Sequence, residues 1–201
     1  MTAMEPLSLD GAHLISPVPH PDERGELYQI FDSGELRAAV GHAMRVSQAN
    51  CLVSRRGAIR GIHFAEVPPG QAKYVMCPSG SVLDVIVDLR VGSPTFGHWE
   101  SVVLDDARPR CVYVAEGLGH ALMALSERAA VVYLCSRPYT PEREHAVNPM
   151  DDSIGIDWPA DIQPILSERD RGAPTLAEAE RAGVLPTYAA CQAFASALRA
   201  T

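Results

Sequence analysis

The 201-residue chain has few features of a disulfide-stapled, secreted or membrane protein. Its five cysteines are scattered and form no C-x-x-C pair. An odd, unclustered set fits reduced thiols in a cytosolic protein better than a disulfide framework or a zinc site. No apolar run approaches membrane length, and the N-terminal "MTAMEPLSLDGAHL" lacks a basic stretch followed by an apolar one. We therefore expect a cytoplasmic protein without membrane contacts.

Basic clusters are also missing. The chain has 17 Lys and Arg residues against 25 Asp and Glu, a formal net charge of −8, with no run rich in Lys or Arg. We expect no nucleic-acid partner, because such a partner needs a positive surface. An anionic ligand would have to be held by a few placed arginines against the overall field.

Several common catalytic and metal motifs do not occur either. The absence of a P-loop, of G-x-S-x-G and of G-x-G-x-x-G removes the usual NTPase, hydrolase and dinucleotide-binding hypotheses. There is no H-x-H pair, and His63, His98, His120 and His145 are far apart in the chain. The neighbouring carboxylates form no facial-triad pattern, so we expect no metal and no cofactor.

What the chain does contain, from about residue 45 to 137, is a series of short β-rich runs. Turn segments rich in Gly, Pro, Asp or Ser separate them, and no long helical pattern intervenes. This spacing predicts an all-β antiparallel sandwich or barrel, with a jelly roll as the natural candidate. The runs are "RVSQANCLVS", "GAIRGIHF", "AKYVMC", "SVLDVIVDLR", "HWESVVL", "RCVYVA", "HALMAL" and "AVVYLCSR".

The two ends of the chain differ from this core. Thr175 and Glu178 have capping-box spacing, and Gly183 is placed to end the helix that they begin. Apolar residues from Tyr188 to Leu198 recur at helical spacing, so two short helices are predicted over about 175–200. One or two strands and a helical turn at "SGELRAAVG" are expected in the first forty residues. We interpret residues 1–201 as one domain.

Polar side chains within the β-rich runs are candidates for a site. Gln48 and Asn50 lie two apart and share a strand face, which either binds a ligand or faces solvent. Arg60 and His63 are an odd number apart, so a regular strand would send them to opposite faces. A bulge at Gly61 would turn both into one cavity. Alone, His63 is more typical of a hydrogen-bonded core histidine.

Other polar residues in these runs also have two interpretations. Lys73 interrupts an apolar strand, either as an edge or snorkelling lysine or as a stabiliser of an oxyanion. Tyr133 is either a core aromatic residue or a proton donor. Asp84 and Asp88 share a strand face, where we expect them to be solvated or structural.

Seven longer segments of the chain are informative together: "RGAIRGIHF", "PPGQAKYV", "GSVLDVIVDLRVGSPTFGHW", "VAEGLGHALMAL", "YLCSRPYTPEREH", "GIDWP" and "ILSERD". In this order they resemble the dTDP-4-dehydrorhamnose 3,5-epimerase family, which includes the 3- and 5-epimerases of antibiotic deoxysugar pathways. The similarity runs from about Arg24 to Tyr188. It implies a cupin-type jelly roll that dimerises and needs no cofactor or metal, acting on a TDP-linked 4-keto-6-deoxy sugar.

The resemblance also implies roles for individual residues. His63 would be the general base, Asp170 its partner, Lys73 the group that neutralises the enolate oxygen, and Tyr133 the acid on the opposite face. A histidine suits proton abstraction beside a ketone, since its ordinary pKa is near neutral pH. The positions implied for nucleotide-sugar binding are Arg24, Gln48, Asn50, Arg60, His120, Tyr139, Glu144 and Arg169.

Departures from the family pattern bear on which carbons are inverted. Leu27 and Gln29 stand where rhamnose-pathway members usually have Phe and Glu, and Ala121 and Leu122 where Gly-Phe is usual. Inversion of both C3 and C5 is the leading expectation, and inversion of one carbon is the alternative. A metal-dependent cupin enzyme and a non-catalytic nucleotide-sugar binder are the remaining hypotheses. Arg24 could reach a neighbouring subunit's site in a homodimer.

Overall fold

The computed structural model describes residues 2–200, and antiparallel strands make up most of its regular structure. The strands are β1 Ala3–Pro6, β2 Ala12–Ser16, β3 Pro19–Asp22, β4 Gly25–Tyr28, β5 Gln48–Arg55, β6 Ile59–Ala65, β7 Lys73–Ser79, β8 Ser81–Asp88, β9 Trp99–Asp105, β10 Cys111–Val114, β11 Leu118–Ala124, β12 Arg128–Cys135 and β13 Glu144–Ala146. The helices are α1 Ser33–Val40, α2 Glu168–Arg171, α3 Leu176–Arg181 and α4 Tyr188–Arg199. All eight predicted β-rich runs form strands.

The strands form two main sheets and a separate hairpin. The larger sheet has the order β1-β2-β10-β7-β12-β5, and the smaller has the order β13-β6-β11-β8-β9. Apolar residues from both sheets pack in one cluster, including Val75 and Val112 from the larger and Ile86 and Leu104 from the smaller. The two sheets therefore face each other as a sandwich, and the predicted all-β jelly-roll class is confirmed.

Strand β8 shows why the smaller sheet reads as nearly continuous apolar sequence. Val82 and Ile86 point into the core between the sheets. Val85 and Val87 point the other way, into a cluster that includes Leu176 of α3. Both faces are buried, so the strand lacks the apolar–polar alternation of a solvated sheet.

The chain ends cover the outer faces of the sandwich. Leu36 and Val40 of α1 pack with Tyr74 and Tyr113 on the outer side of the larger sheet. The predicted capping box is present at the start of α3, and Gly183 has φ +68° just beyond its end. The predicted helices over 175–200 are α3 and α4.

Sequence reasoning was incomplete at both ends. Four strands precede α1 rather than one or two, because β3 and β4 form a short exposed hairpin with two prolines, a weak strand signal. The four-residue helix α2 was also missed. Its N-cap is Ser167, whose hydroxyl accepts the backbone N–H of Asp170.

The cysteines and the helix lengths of residues 2–200 bear on the expectations from composition. The five cysteines in this range are free thiols. No helix in it is long and apolar enough to span a membrane, and α4, the longest, has 12 residues.

Candidate active site

A cavity of about 740 Å³ opens between the two sheets. Strands of both sheets line it, together with the segment that contains α2. Eleven of the twelve residues predicted for catalysis or binding line this one cavity: Gln48, Asn50, Arg60, His63, Lys73, His120, Tyr133, Tyr139, Glu144, Arg169 and Asp170.

A bulge in β6 brings Arg60 and His63 to the same cavity. His63 pairs with His120, but Arg60 pairs with Leu122, so three steps along β6 match two along β11. Gly61 has φ +125°, and a Cβ there would lie 2.6 Å from the Cα of Ala121. Only glycine fits this close approach, and the predicted bulge at Gly61 is confirmed.

His63 forms a short hydrogen bond with Asp170. Its Nε2 lies 2.7 Å from Oδ1 of Asp170, a buried residue of α2. Burial raises the pKa of Asp170, but hydrogen bonds from the His63 ring and the Gly61 backbone outweigh it and leave the pKa below its usual range. The ionised carboxylate fixes the imidazole, whose other nitrogen is left to accept a proton.

A second imidazole–carboxylate pair lies beside the first. Nε2 of His120 is 2.8 Å from Oδ2 of Asp84, which is completely buried. Asp88 is buried as well, where Arg90 binds it through two nitrogens. Of the two expectations for these aspartates, the structural one holds and the solvated one is wrong, because their strand face lies inside the sandwich.

Lys73 and Tyr133 come from the opposite sheet. They lie on the neighbouring strands β7 and β12 of the larger sheet, whereas His63 lies on the smaller. Burial lowers the pKa of Lys73, and the nearby Cys135, Glu144 and Asp84 oppose that shift. Burial also raises the pKa of Tyr133, which keeps its phenol protonated. The cavity thus has an imidazole on one wall and a neutral phenol on the other.

The rim is organised by two hydrogen-bonded groups. Gln48 donates to Oδ1 of Asn50 at 2.9 Å and accepts the backbone N–H of Tyr139 at 2.9 Å. Arg169 donates to the Tyr139 hydroxyl at 3.3 Å and to the backbone carbonyl of Glu144 at 3.2 Å. The shared face of Gln48 and Asn50 lines the cavity, where a ligand could reach it, and its role in binding stays a prediction.

Sequence reasoning missed several lining residues. Gln71, Leu52, Leu122 and Cys135 each line the cavity two positions from a predicted residue. The two-residue period of a strand is the signal that could have found Leu52, Leu122 and Cys135. Gln71 lies before the start of β7, so this signal does not apply to it. Ser167 and the apolar Ile165 and Leu166 come from the irregular segment before α2, where no such period exists.

Arg24 is the one predicted residue outside the cavity lining. It lies in the turn between β3 and β4, where its side chain is 89% exposed and pairs with Asp22. Within residues 2–200 there is also no group of three or more His, Cys, Asp or Glu side chains arranged to hold a metal ion. The titratable side chains that line the cavity, among them His63, Lys73 and Tyr133, can transfer protons and stabilise charge.

Comparisons with known proteins show which family the chain resembles. A family model for dTDP-4-dehydrorhamnose 3,5-epimerase matches residues 6–178. The chain is 57% identical over 189 residues to a dTDP-4-dehydro-6-deoxyglucose 3-epimerase from a Streptomyces species, covering 94% of this chain and 96% of that protein. It is 55% identical over 199 residues to a dTDP-4-dehydrorhamnose 3,5-epimerase from Mycolicibacterium smegmatis, covering 99% and 98%.

A solved structure extends the likeness to three dimensions. The crystal structure of ChmJ, a 3'-monoepimerase from Streptomyces bikiniensis in complex with dTDP-quinovose, superimposes with a TM-score of 0.96. The two sequences are 54% identical, and the alignment covers 98% of this chain and 100% of that one.

Proposed function

The chain belongs to the dTDP-4-dehydrorhamnose 3,5-epimerase family and is a sugar epimerase, and we propose that it acts on a dTDP-linked 4-keto-6-deoxyhexose at the cavity described above. The observation that carries this assignment is the placement of His63 and Tyr133 on opposite sheets, facing one cavity. Inversion of a carbon requires a proton to leave one face and return to the other. A base and an acid on opposite walls meet that need.

The proposed reaction begins with His63. Its imidazole takes the proton from a carbon next to the C4 ketone, and the electron pair moves onto the ketone oxygen to form an enolate. Asp170 stabilises the imidazolium formed in this step. Lys73 neutralises the enolate oxygen, and Tyr133 then returns a proton from the opposite wall, which leaves the carbon inverted and the ketone restored.

Arginine side chains in the cavity are suited to bind the diphosphate of the proposed substrate. Arg60 and Arg169 line the cavity, and a guanidinium matches phosphate oxygens through two parallel hydrogen bonds. Arg60 is oriented by a bond from its Nε to Ser54 Oγ at 3.0 Å. Such local positive groups let a chain of net charge −8 bind a diphosphate.

We propose inversion at both C3 and C5 as the leading activity, with C3 alone as the second candidate. The second candidate is supported by the similarity to 3-epimerases at the same level as to 3,5-epimerases. The same side chains serve both activities, because the proposed base and acid are the same. Only the rotation of the sugar between the two inversions differs.

Incubation with dTDP-4-keto-6-deoxyglucose in D₂O tests this function. Deuterium at C3 and C5 of the recovered sugar, located by NMR and mass spectrometry, is the expected result. Deuterium at one carbon would replace the double epimerase with the mono-epimerase. A sugar recovered without label at either carbon would refute the proposed function.

We also propose that the active form is a homodimer in which Arg24 completes the neighbouring subunit's site. Strands β3 and β4 are almost entirely exposed, and Leu27 is 70% exposed beside Arg24. A short hairpin with an exposed apolar residue gains stability by packing on another surface. A second copy of this chain, whose cavity is proposed to bind a diphosphate, is the partner that this hairpin and its arginine suit.

A further inference from the structure

Ser136 lies outside the cavity lining, yet it contacts two strand ends that carry cavity residues. Its Oγ accepts the backbone N–H of Ala72 at 2.8 Å, and Ala72 directly precedes Lys73. Its carbonyl accepts the hydroxyl of Ser47 at 2.9 Å, and Ser47 directly precedes Gln48. Ser136 therefore bonds to the residue before β7 through its hydroxyl and to the residue before β5 through its carbonyl.

The hydroxyl of Ser136 is itself oriented by Glu116. Because Oγ accepts the Ala72 N–H, its single proton is free to be donated, and Oε1 of Glu116 lies 3.4 Å away. The stem of Glu116 is packed tightly, since a Cβ on Gly70 would lie 2.6 Å from Glu116 Cβ and Cγ. Glu116 does not line the main cavity; it lines a separate, smaller cavity of about 200 Å³.

We propose that Ser136 is a positioning residue for Lys73, with Glu116 as the acceptor that orients the serine hydroxyl. The proposal rests on the proposed function, in which Lys73 meets the enolate oxygen. Ala72 is 1% exposed, so its N–H loses a partner that water does not readily replace if the hydroxyl is removed. The backbone N–H of Ser136 still donates to the Ala72 carbonyl at 3.0 Å, so β7 stays paired with β12. We expect the loss of the hydroxyl bond to let the Ala72 peptide turn and to displace Lys73.

The chain supplies a matched control in Ser126. Its Oγ accepts the backbone N–H of Ser81 at 2.9 Å at the start of β8 and donates to the carbonyl of Arg128 at 2.9 Å. Ser126 makes the same kind of bond at the opposite end of β12, away from the cavity. Ser136→Ala and Ser126→Ala therefore remove equivalent bonds with and without a connection to Lys73.

Steady-state epimerase kinetics of both variants form the test. We expect Ser136→Ala to lower kcat about tenfold with KM nearly unchanged, since a misplacement of about 1 Å can cost about 10²-fold. Ser126→Ala should leave kcat within about twofold of the wild type, as expected for a site remote from the chemistry. Ser136→Thr, which keeps the hydroxyl, should restore most of the lost kcat.

A purely structural role predicts a different pattern. If Ser136→Ala and Ser126→Ala lower Tm alike and both keep wild-type kcat, the positioning role is refuted. If Ser136→Ala does not fold, Glu116→Met keeps the packing on Gly70 without the acceptor, and an unchanged kcat there would also refute the proposal.

Amide hydrogen exchange separates this proposal from the proposed function. The peptide containing Ala72 should exchange faster in Ser136→Ala than in the wild type and in Ser126→Ala. That comparison needs no turnover, so it holds even if the wild type leaves the sugar unlabelled. Equal exchange in all three proteins would overturn the role of Ser136.

Discussion

Two imidazole–carboxylate pairs sit side by side in this protein and differ in what they can do. His63 and His120 are cross-strand partners on β6 and β11, and their ring nitrogens lie 2.7 and 2.8 Å from Asp170 and Asp84. The His63 side chain is 31% exposed and the His120 side chain is 10% exposed. A base must reach its substrate, so accessibility favours His63.

The carboxylates of the two pairs differ as well. Asp170 accepts hydrogen bonds from the His63 ring and the Gly61 backbone, and these bonds lower its pKa despite burial. Asp84 binds His120 through one oxygen, while Oδ1 is buried without a partner among residues 2–200. Nearly identical contacts thus leave one imidazole accessible from the cavity, as the proposed proton transfer requires, and the other nearly buried in the cavity wall.

Removing the first imidazole should have the largest effect. We expect His63→Ala to lower kcat by about 10²–10⁴-fold, the usual contribution of a general base. Deuterium incorporation from D₂O measures this loss directly. His145→Ala is the matched control, because its Nε2 pairs with Glu66 at 2.9 Å outside the cavity lining. A comparable loss in the control would contradict the special role of His63.

Weakening the first carboxylate should cost less. In Asp170→Asn the amide no longer stabilises the imidazolium or fixes the ring, and we expect kcat to fall about 10²-fold, a typical cost of misplacing a catalytic group. KM should change little, because the variant keeps the size of the side chain. If kcat were unchanged, His63 would not depend on Asp170 for its orientation.

The same variant should alter the dependence of stability on pH. The pKa of Asp170 is lowered in the folded chain, so its charge contributes to stability above the ordinary value of about 4. That contribution is lost as the pH falls through the lower folded pKa. Urea unfolding should therefore show a gap between wild type and Asp170→Asn at neutral pH that narrows in acid.

Substituting the second carboxylate should affect stability more than rate. Asp84→Asn places an amide donor where the described atoms supply no acceptor, and we expect the free energy of unfolding to drop by about 2 kcal/mol. Urea unfolding of Asp84→Asn and Asp170→Asn at neutral pH compares the two pairs directly. A larger loss of kcat in Asp84→Asn than in Asp170→Asn would indicate that His120, and not His63, is the base.

The contrast between the pairs also marks the limit of sequence reasoning. Turn chemistry and strand alternation sufficed for the eight core strands, and the capping box at Thr175 for α3. Asp84 was ambiguous, because a strand face inside the sandwich reads like a solvated one until the opposing sheet is known. The pairing of His63 with Asp170 spans 107 residues, and no local pattern encodes such a contact.

Arg24→Ala should have the smallest effect and leave both pairs intact. One charge-assisted hydrogen bond to a phosphate is worth about 1.5 kcal/mol, so we expect KM to rise about tenfold with kcat unchanged. Steady-state kinetics measure this split. A fall in kcat without a change in KM would instead connect the hairpin to the proton-transfer step.

Mixing two defective proteins shows which subunit supplies Arg24. Consider a mixed dimer of one His63→Ala chain and one Arg24→Ala chain, in which each β3–β4 hairpin reaches the cavity of the other chain. The cavity of the His63→Ala chain then has both defects, and the cavity of the Arg24→Ala chain has neither. The intact cavity should raise the rate above the sum of the two parent proteins at substrate concentrations below KM. If Arg24 served its own chain, each cavity would keep one defect and mixing would add nothing. Recovery of activity would therefore show that Arg24 acts in the partner's cavity, where His63 and Asp170 of that one chain form the proposed proton-transfer pair.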